Sequence, residues 1–246
     1  QGVSSAASDV YKRQMQIWSE PLQKFRLAAQ GHGAKQPPAH LRARVEKYCD
    51  PLPFWYPPLE QEAHDTAPFP LSAVTQRPMA MYHAWGSMNA WLRQIHGSNR
   101  LFMSRAKAAA LGLSHDDWVW VESRNGRLKA QLALMEGVND DTVWTWNAIG
   151  KRAGAWMLSP DAAESQRGFL LNHVISEWLP AQSGPRLANA DPVTGQAAWY
   201  DLRVSVTKCR PEEAGITDPH PAPLKPPPNM PPVPDILRYN AGEARP

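Results

Sequence analysis

The central part of this 246-residue sequence predicts a mainly β domain with short flanking helices. Three observations carry that expectation. Arg124-Asn125-Gly126 separates two alternating runs, Trp118–Glu122 and Arg127–Leu134, which is the mark of a β-hairpin. Further short apolar runs (residues 71–74, 99–103, 142–147 and 199–206) have strand length and are bounded by turn residues. The helical patterns between them, at residues 90–95 and 104–113, are brief.

Composition narrows the field. Eleven Trp and a 43% apolar share are enough to build a core. A formal charge of +3, dispersed along the chain, does not argue for nucleic acid. Cys49 and Cys209 stand far apart, with neither metal-site spacing nor a dense framework, so a reducing compartment is the simpler expectation. There is no apolar run of about 18 residues to span a membrane and no secretory signal pattern.

Taken in order, Gln1–Gln14 resembles a translated sequencing-adapter scar, and the natural chain is expected from about Met15. Residues 15–69 read as a connecting segment. Within it a short strand leads to a helix with Ser19 as N-cap and Pro21 in its first turn. Gly31 and Gly33 end that helix, and Leu41–Tyr48 is a second amphipathic one. The prolines of Asp50–Pro58 favour an extended strap over a central strand. Residues 70–210 read as the main domain. Leu71–Val74 is its first strand, and Pro78 stops that ladder. Ala90–Ile95 is a short helix and 99–103 a strand; Ser104 then caps an Ala-rich helix that closes at Gly112. The hairpin follows, with a type I′ turn expected at Asn125-Gly126, and then the strand 142–147. Residues 148–160 form a glycine-punctuated loop in which Lys151 and Arg152 either face a pyrophosphate or are simply solvated. Gly168–Leu179 is an apolar piece holding Asn172 and His173, Asp191–Gly195 is a turn, and Trp199–Val206 is the last strand. Residues 211–246 crowd proline and are expected to be an extended, disordered tail.

The stretch Pro70–Leu92 concentrates chemistry. A strand that runs out into Thr75, Gln76 and Arg77 offers a hydroxyl, an amide and a guanidinium at one rim. Tyr82, His83, Ser87 and Asn89 follow around Gly86, where a ligand is expected to approach the backbone. Such a rim suits a planar polyanion, with Arg for phosphate and amides for ring edges. The competing reading makes the aromatics of this stretch plain core.

The same segment resembles the start of the C-terminal pterin-dinucleotide-binding domain of molybdopterin oxidoreductases of the dimethyl-sulfoxide-reductase family. Thr75, Arg77, His83 and Asn89 match its strand-end Thr and Arg, its His, and its Asn six residues on. Residues 104–113, the hairpin from Asp116 to Gly126, Asn172 and the segment Asp191–Val206 match later pieces in the same order. The resemblance implies a six-stranded double-psi β-barrel. It also implies that Thr75, Gln76, Arg77, Tyr82, His83, Ser87, Asn89, Asn172 and Asp201 contact a bis(molybdopterin guanine dinucleotide) molybdenum cofactor. Trp85-Gly86 departs from the polar residues that relatives often carry there.

No self-contained active site is legible: there is no GxSxG, HExxH, P-loop or strand–GxGxxG–helix, and the histidines are scattered. Catalytic residues and protein ligands to a metal are therefore not expected here. By the resemblance, the molybdenum ligand and an iron–sulfur cluster belong upstream. PLPFWYPP, TQRPMAMYHAWGSMNAWLRQIHG and DPVTGQAAWYDLRV are most similar to quinone-linked sulfur-oxyanion enzymes, the sulfite dehydrogenases first. That implies oxidation of sulfite to sulfate beside a quinone-reactive membrane anchor and an iron–sulfur electron-transfer subunit, on the cytoplasmic side. The alternatives are a thiosulfate, polysulfide or tetrathionate reductase subunit, or a non-catalytic β-barrel interaction module.

Overall fold

The computed structural model describes residues 17–221, except 64, 148, 150–167, 180–186, 198–201 and 218–219. They divide into two units, one of residues up to 58 with 190–198, the other of 59–189 with 199 onward.

In the larger unit, β1 (Leu71–Gln76), β2 (Leu101–Met103), β3 (Trp118–Ser123), β4 (Gly126–Leu134), β5 (Thr142–Trp146) and β6 (Leu202–Lys208) form one sheet. Its order is β2-β5-β1-β6-β3-β4, and β4 pairs back onto β2, so six strands close into the expected barrel. Closure matters because an open sheet would leave two rows of unpaired backbone groups. The pairs β1–β5 and β2–β4 are parallel; β1–β6, β2–β5, β3–β4 and β3–β6 are antiparallel. A short β7 (His220–Pro221) adds to the outer side of β4. Alternation along the strands sends Leu71, Ala73, Val119, Val121, Leu128, Leu132, Leu202 and Val204 into one core. Phe169, Leu171 and Val174, from the segment after residue 167, complete it.

Among the described residues, three short helices belong to this unit: α1 (Leu59–Ala63), α2 (Ala90–Ile95) and α3 (Arg105–Ala110). Ser104 Oγ accepts from the Lys107 N–H at 3.0 Å, the cap expected of it, and Gly112 at φ +66 ends the turn.

The hairpin stands where the sequence puts it, but its turn differs. Ser123 pairs with Gly126, so the two loop residues are Arg124 and Asn125, and neither has the positive φ that type I′ requires. The Ser123 hydroxyl organises the turn instead. It accepts from the Asn125 N–H at 2.9 Å and donates to the Val174 carbonyl.

The unit also extends past both expected boundaries. Upstream of residue 70, Glu60 is buried and its Oε1 accepts from Asn125 Nδ2 at 3.2 Å. Downstream of residue 210, Thr217 is buried; its hydroxyl donates to the Gly168 carbonyl at 2.8 Å and its carbonyl accepts from the Lys129 N–H at 2.7 Å. Residues 211–217 are thus part of the domain, because proline crowding begins only beyond them; residues 222–246, the rest of the expected tail, lie outside the described residues.

The smaller unit packs α4 (Glu20–Ala29) and α5 (Arg42–Tyr48) with the extended strap. Residues 17–19 have no regular structure, so the expected first strand does not occur among the described residues. Ser19 takes the N-cap position without a side-chain bond, and its N–H donates to the Pro51 carbonyl at 2.8 Å. Tyr48 and Tyr56 meet edge-on at 4.9 Å, and the Tyr56 hydroxyl donates to Asp191. Asp191 also accepts from the Val193 and Thr194 N–H groups at 3.0 and 2.6 Å. Burial pushes the Asp191 carboxyl up, but these bonds outweigh it and hold it below the usual carboxylate range.

Both cysteines are free and buried. Burial, seconded by the Glu213 carboxylate, pushes the Cys209 thiol up to about 11. At about pH 8, only about one molecule in a thousand carries the reactive thiolate. Iodoacetamide is therefore expected to label Cys209 in the denatured chain and not in the native one; fast native labelling, located by peptide mapping, would contradict the burial.

Candidate cofactor-binding site

Because β1 and β5 run parallel, both leave the barrel at the same rim. Thr75 pairs with Thr145 and Gln76 with Trp146, and the Asn147 N–H continues the ladder to the Gln76 carbonyl at 2.8 Å. Thr75 is half-buried, while Gln76 and Arg77 are exposed. The strand runs two residues beyond its apolar part, so the polar groups sit on a rigid element and not in a loop.

Beyond buried Pro78 the chain folds back on itself. The Arg77 guanidinium lies 6.0 Å from the Tyr82 ring centre, and Tyr82 meets His83 edge-on at 5.2 Å. His83 holds φ +49, a left-handed conformation uncommon for a residue with a Cβ, at the entry to the 3-10 turn His83–Met88. Tyr82, Trp85 and Trp91 are 66%, 83% and 77% exposed, which rules out the reading that makes them core.

Two of these positions also serve the local fold. A Cβ on Gly86 would stand 3.0 Å from Leu92 Cδ1 and 3.3 Å from Met81 Cα, so the packing of its own turn favours glycine there. Asn89 caps α2: its Oδ1 accepts from the N–H groups of Trp91 and Leu92 at 2.9 and 3.4 Å. Only its amide nitrogen is left to donate to a ligand.

Asn172 is exposed in the 3-10 turn Leu171–His173, and Asn99 ties that segment to the rim. Asn99 is 2% exposed. Its Nδ2 donates to the carbonyls of Trp146 at 2.8 Å and Phe169 at 3.0 Å. Its Oδ1 accepts from Thr145 Oγ1 at 2.8 Å and the Arg100 N–H at 3.0 Å. One amide thus holds the end of β5 against the chain that leads to Asn172. Sequence reasoning passed over Asn99 and Asn147, each a polar residue flanking a strongly apolar strand. Asp201, Lys151 and Arg152, and the side chain of Ser87, lie outside the described residues.

The donor set is a guanidinium, a hydroxyl and several amides on one rim, beside exposed aromatic faces. Asn147 Oδ1 is buried with no partner among the described residues. This set fits a planar heterocycle carrying phosphate.

Residues 71–189 match the family described as "Molydopterin dinucleotide binding domain". The chain is 56% identical, over 88% of its length, to one subunit of the sulfite dehydrogenase of Allochromatium vinosum, covering 22% of that protein. It is 23% identical, over 75% of its length, to the dopamine dehydroxylase of Eggerthella lenta, covering 16% of it. Among solved structures, the acetylene hydratase of Pelobacter acetylenicus superposes with a TM-score of 0.48 at 22% identity, over 69% of this chain and 23% of that one. The chain spans about a fifth of the length of these curated relatives.

Proposed function

Residues 71–189 belong to the molydopterin dinucleotide-binding domain family, and on that premise we propose that the chain is the C-terminal, cofactor-binding part of a molybdenum oxidoreductase's catalytic subunit. The observation that carries this is the rim, where Thr75, Gln76 and Arg77 leave β1 beside Asn147. Arg77 offsets the phosphate charge. Thr75 and Gln76 meet the sugar or ring edge, with Tyr82, His83, Ser87, Asn89, Asn172 and Asp201 as further contacts. The cofactor is bis(molybdopterin guanine dinucleotide) molybdenum, and it supplies the two-electron redox chemistry that no side chain here provides.

The substrate in this reading is sulfite, oxidised to sulfate. The identity to a sulfite dehydrogenase subunit over most of the chain supports it above thiosulfate, polysulfide or tetrathionate. That relative's being a subunit supports partner chains; in this reading they are a quinone-reactive membrane anchor and an iron–sulfur electron-transfer subunit, with an iron–sulfur cluster also in the upstream part of the catalytic chain. Membrane attachment on the cytoplasmic side then runs through the anchor; among the described residues no helix is long and apolar enough to cross a membrane.

Reversing the charge at the rim tests the reading. Arg77→Glu in the full-length subunit is expected to lower molybdenum and bound nucleotide at least about tenfold, the worth of one charge-assisted contact. Because Arg77 is exposed, circular dichroism should not change. Unchanged molybdenum content in the variant would count against the site. A wild-type protein with neither molybdenum nor nucleotide would point to the interaction module instead. Assays with sulfite, thiosulfate, polysulfide and tetrathionate against a quinone analogue then decide the substrate.

A further inference from the structure

At the rim, Asn147 carries a buried polar atom that has no partner among the described residues. Asn147 immediately follows β5, and its backbone N–H is used by the Gln76 carbonyl at 2.8 Å. Its side-chain Oδ1 is shielded from solvent, yet no donor among the described residues reaches it. A buried amide carbonyl without a donor is costly, and folded proteins rarely leave one so. Asn99, which bonds the carbonyl of the neighbouring Trp146, has both ends of its amide saturated by four hydrogen bonds. Asn147 is the opposite case, at an edge where two parallel strands end together.

We infer that Asn147 is a cofactor-binding residue, its Oδ1 accepting an N–H from the edge of the heterocycle held at the rim. This rests on the cofactor reading above and assigns it a contact that the motif matches did not supply. The chemistry is specific. An amide oxygen cannot donate, so it selects the amino or ring N–H edge of a pterin or guanine, while the Arg77 guanidinium handles phosphate. Gln76, one strand over, offers both a donor and an acceptor to the same ring system.

The experiment compares wild type, Asn147→Leu and Asn147→Asp in the full-length protein, with molybdenum and released nucleotide measured per chain. The melting temperature is read on protein made in cells that cannot synthesise the pterin. Asn147→Leu removes an unpaired acceptor, so the cofactor-free variant should melt no lower than wild type while loading falls at least about tenfold, the worth of one buried contact. Asn147→Asp keeps an acceptor at the same place and should load more than the Leu variant. A structural role predicts the reverse pattern: a lower melting temperature in the cofactor-free Leu variant, with loading falling no further than that loss explains. That result, or normal loading of the Leu variant beside a loaded wild type, overturns the assignment of Asn147 alone. A wild type that holds no pterin overturns the parent reading instead.

Discussion

Asn99→Asp is expected to destabilise the barrel unit by about 3–5 kcal/mol, the cost of leaving a charge buried without its partner. The substitution is isosteric, so packing is untouched and the effect is electrostatic. Where Nδ2 now donates to the Trp146 and Phe169 carbonyls at 2.8 and 3.0 Å, a carboxylate oxygen would face two other oxygens at a site only 2% exposed. The sign with pH follows. Burial raises the folded-state pKa of the introduced Asp above its unfolded value of about 4, so the loss is present at neutral pH and shrinks as pH falls toward that value. Urea unfolding at neutral and acid pH measures both. A neutral-pH loss below about 1 kcal/mol would show that Asn99 is not the tie between β5 and the segment before Asn172.

Phe169→Ala should cost about 3–5 kcal/mol, a transfer loss plus a cavity that the closed barrel cannot collapse around. Among the described residues, Phe169 is the largest of the side chains that are under 2% exposed. Its carbonyl accepts from Asn99, so the backbone there stays anchored while the ring is removed, and the cavity is left open. Chemical denaturation reads the result. Because Phe169 and Asn99 share one network, the double variant should lose less than the sum of the two singles. Strict additivity would mean that ring and amide act on separate parts of the barrel.

What the sequence carries depends on how local each signal is. Alternation and a turn triplet locate β3 and β4, and a cap with a C-terminal glycine locates α3. The rim residues Thr75 and Arg77 are legible because their types and spacing resemble a known motif. The turn type is not, because Ser123 binds the chain through its hydroxyl and removes the need for two positive φ values. Asn99 and Asn147 are not, because the difference between a saturated amide and an orphaned one depends on residues about 45 and 70 positions away. The extension of the domain to Thr217 is hidden for the same reason, since its partners Gly168 and Lys129 are distant in sequence. Composition alone sees a tail there.

The place of β6 in the ring bears on how this protein is made. It is the last of the six barrel strands to leave the ribosome, and it pairs on one side with β1, about 130 residues earlier, and on the other with β3. Until residue 208 has emerged, β1 and β3 each present a free edge, and the apolar face behind them is uncovered. Such non-local closure makes for slow folding and a nascent chain prone to pair with its neighbours. A ribosome stalled before residue 202 should therefore hold a sticky, protease-sensitive product, and a few tens of codons further on a closed one. The rim, whose β1 belongs to one of those waiting edges, cannot be rigid before that moment, so on the function proposed above cofactor insertion follows translation of the barrel.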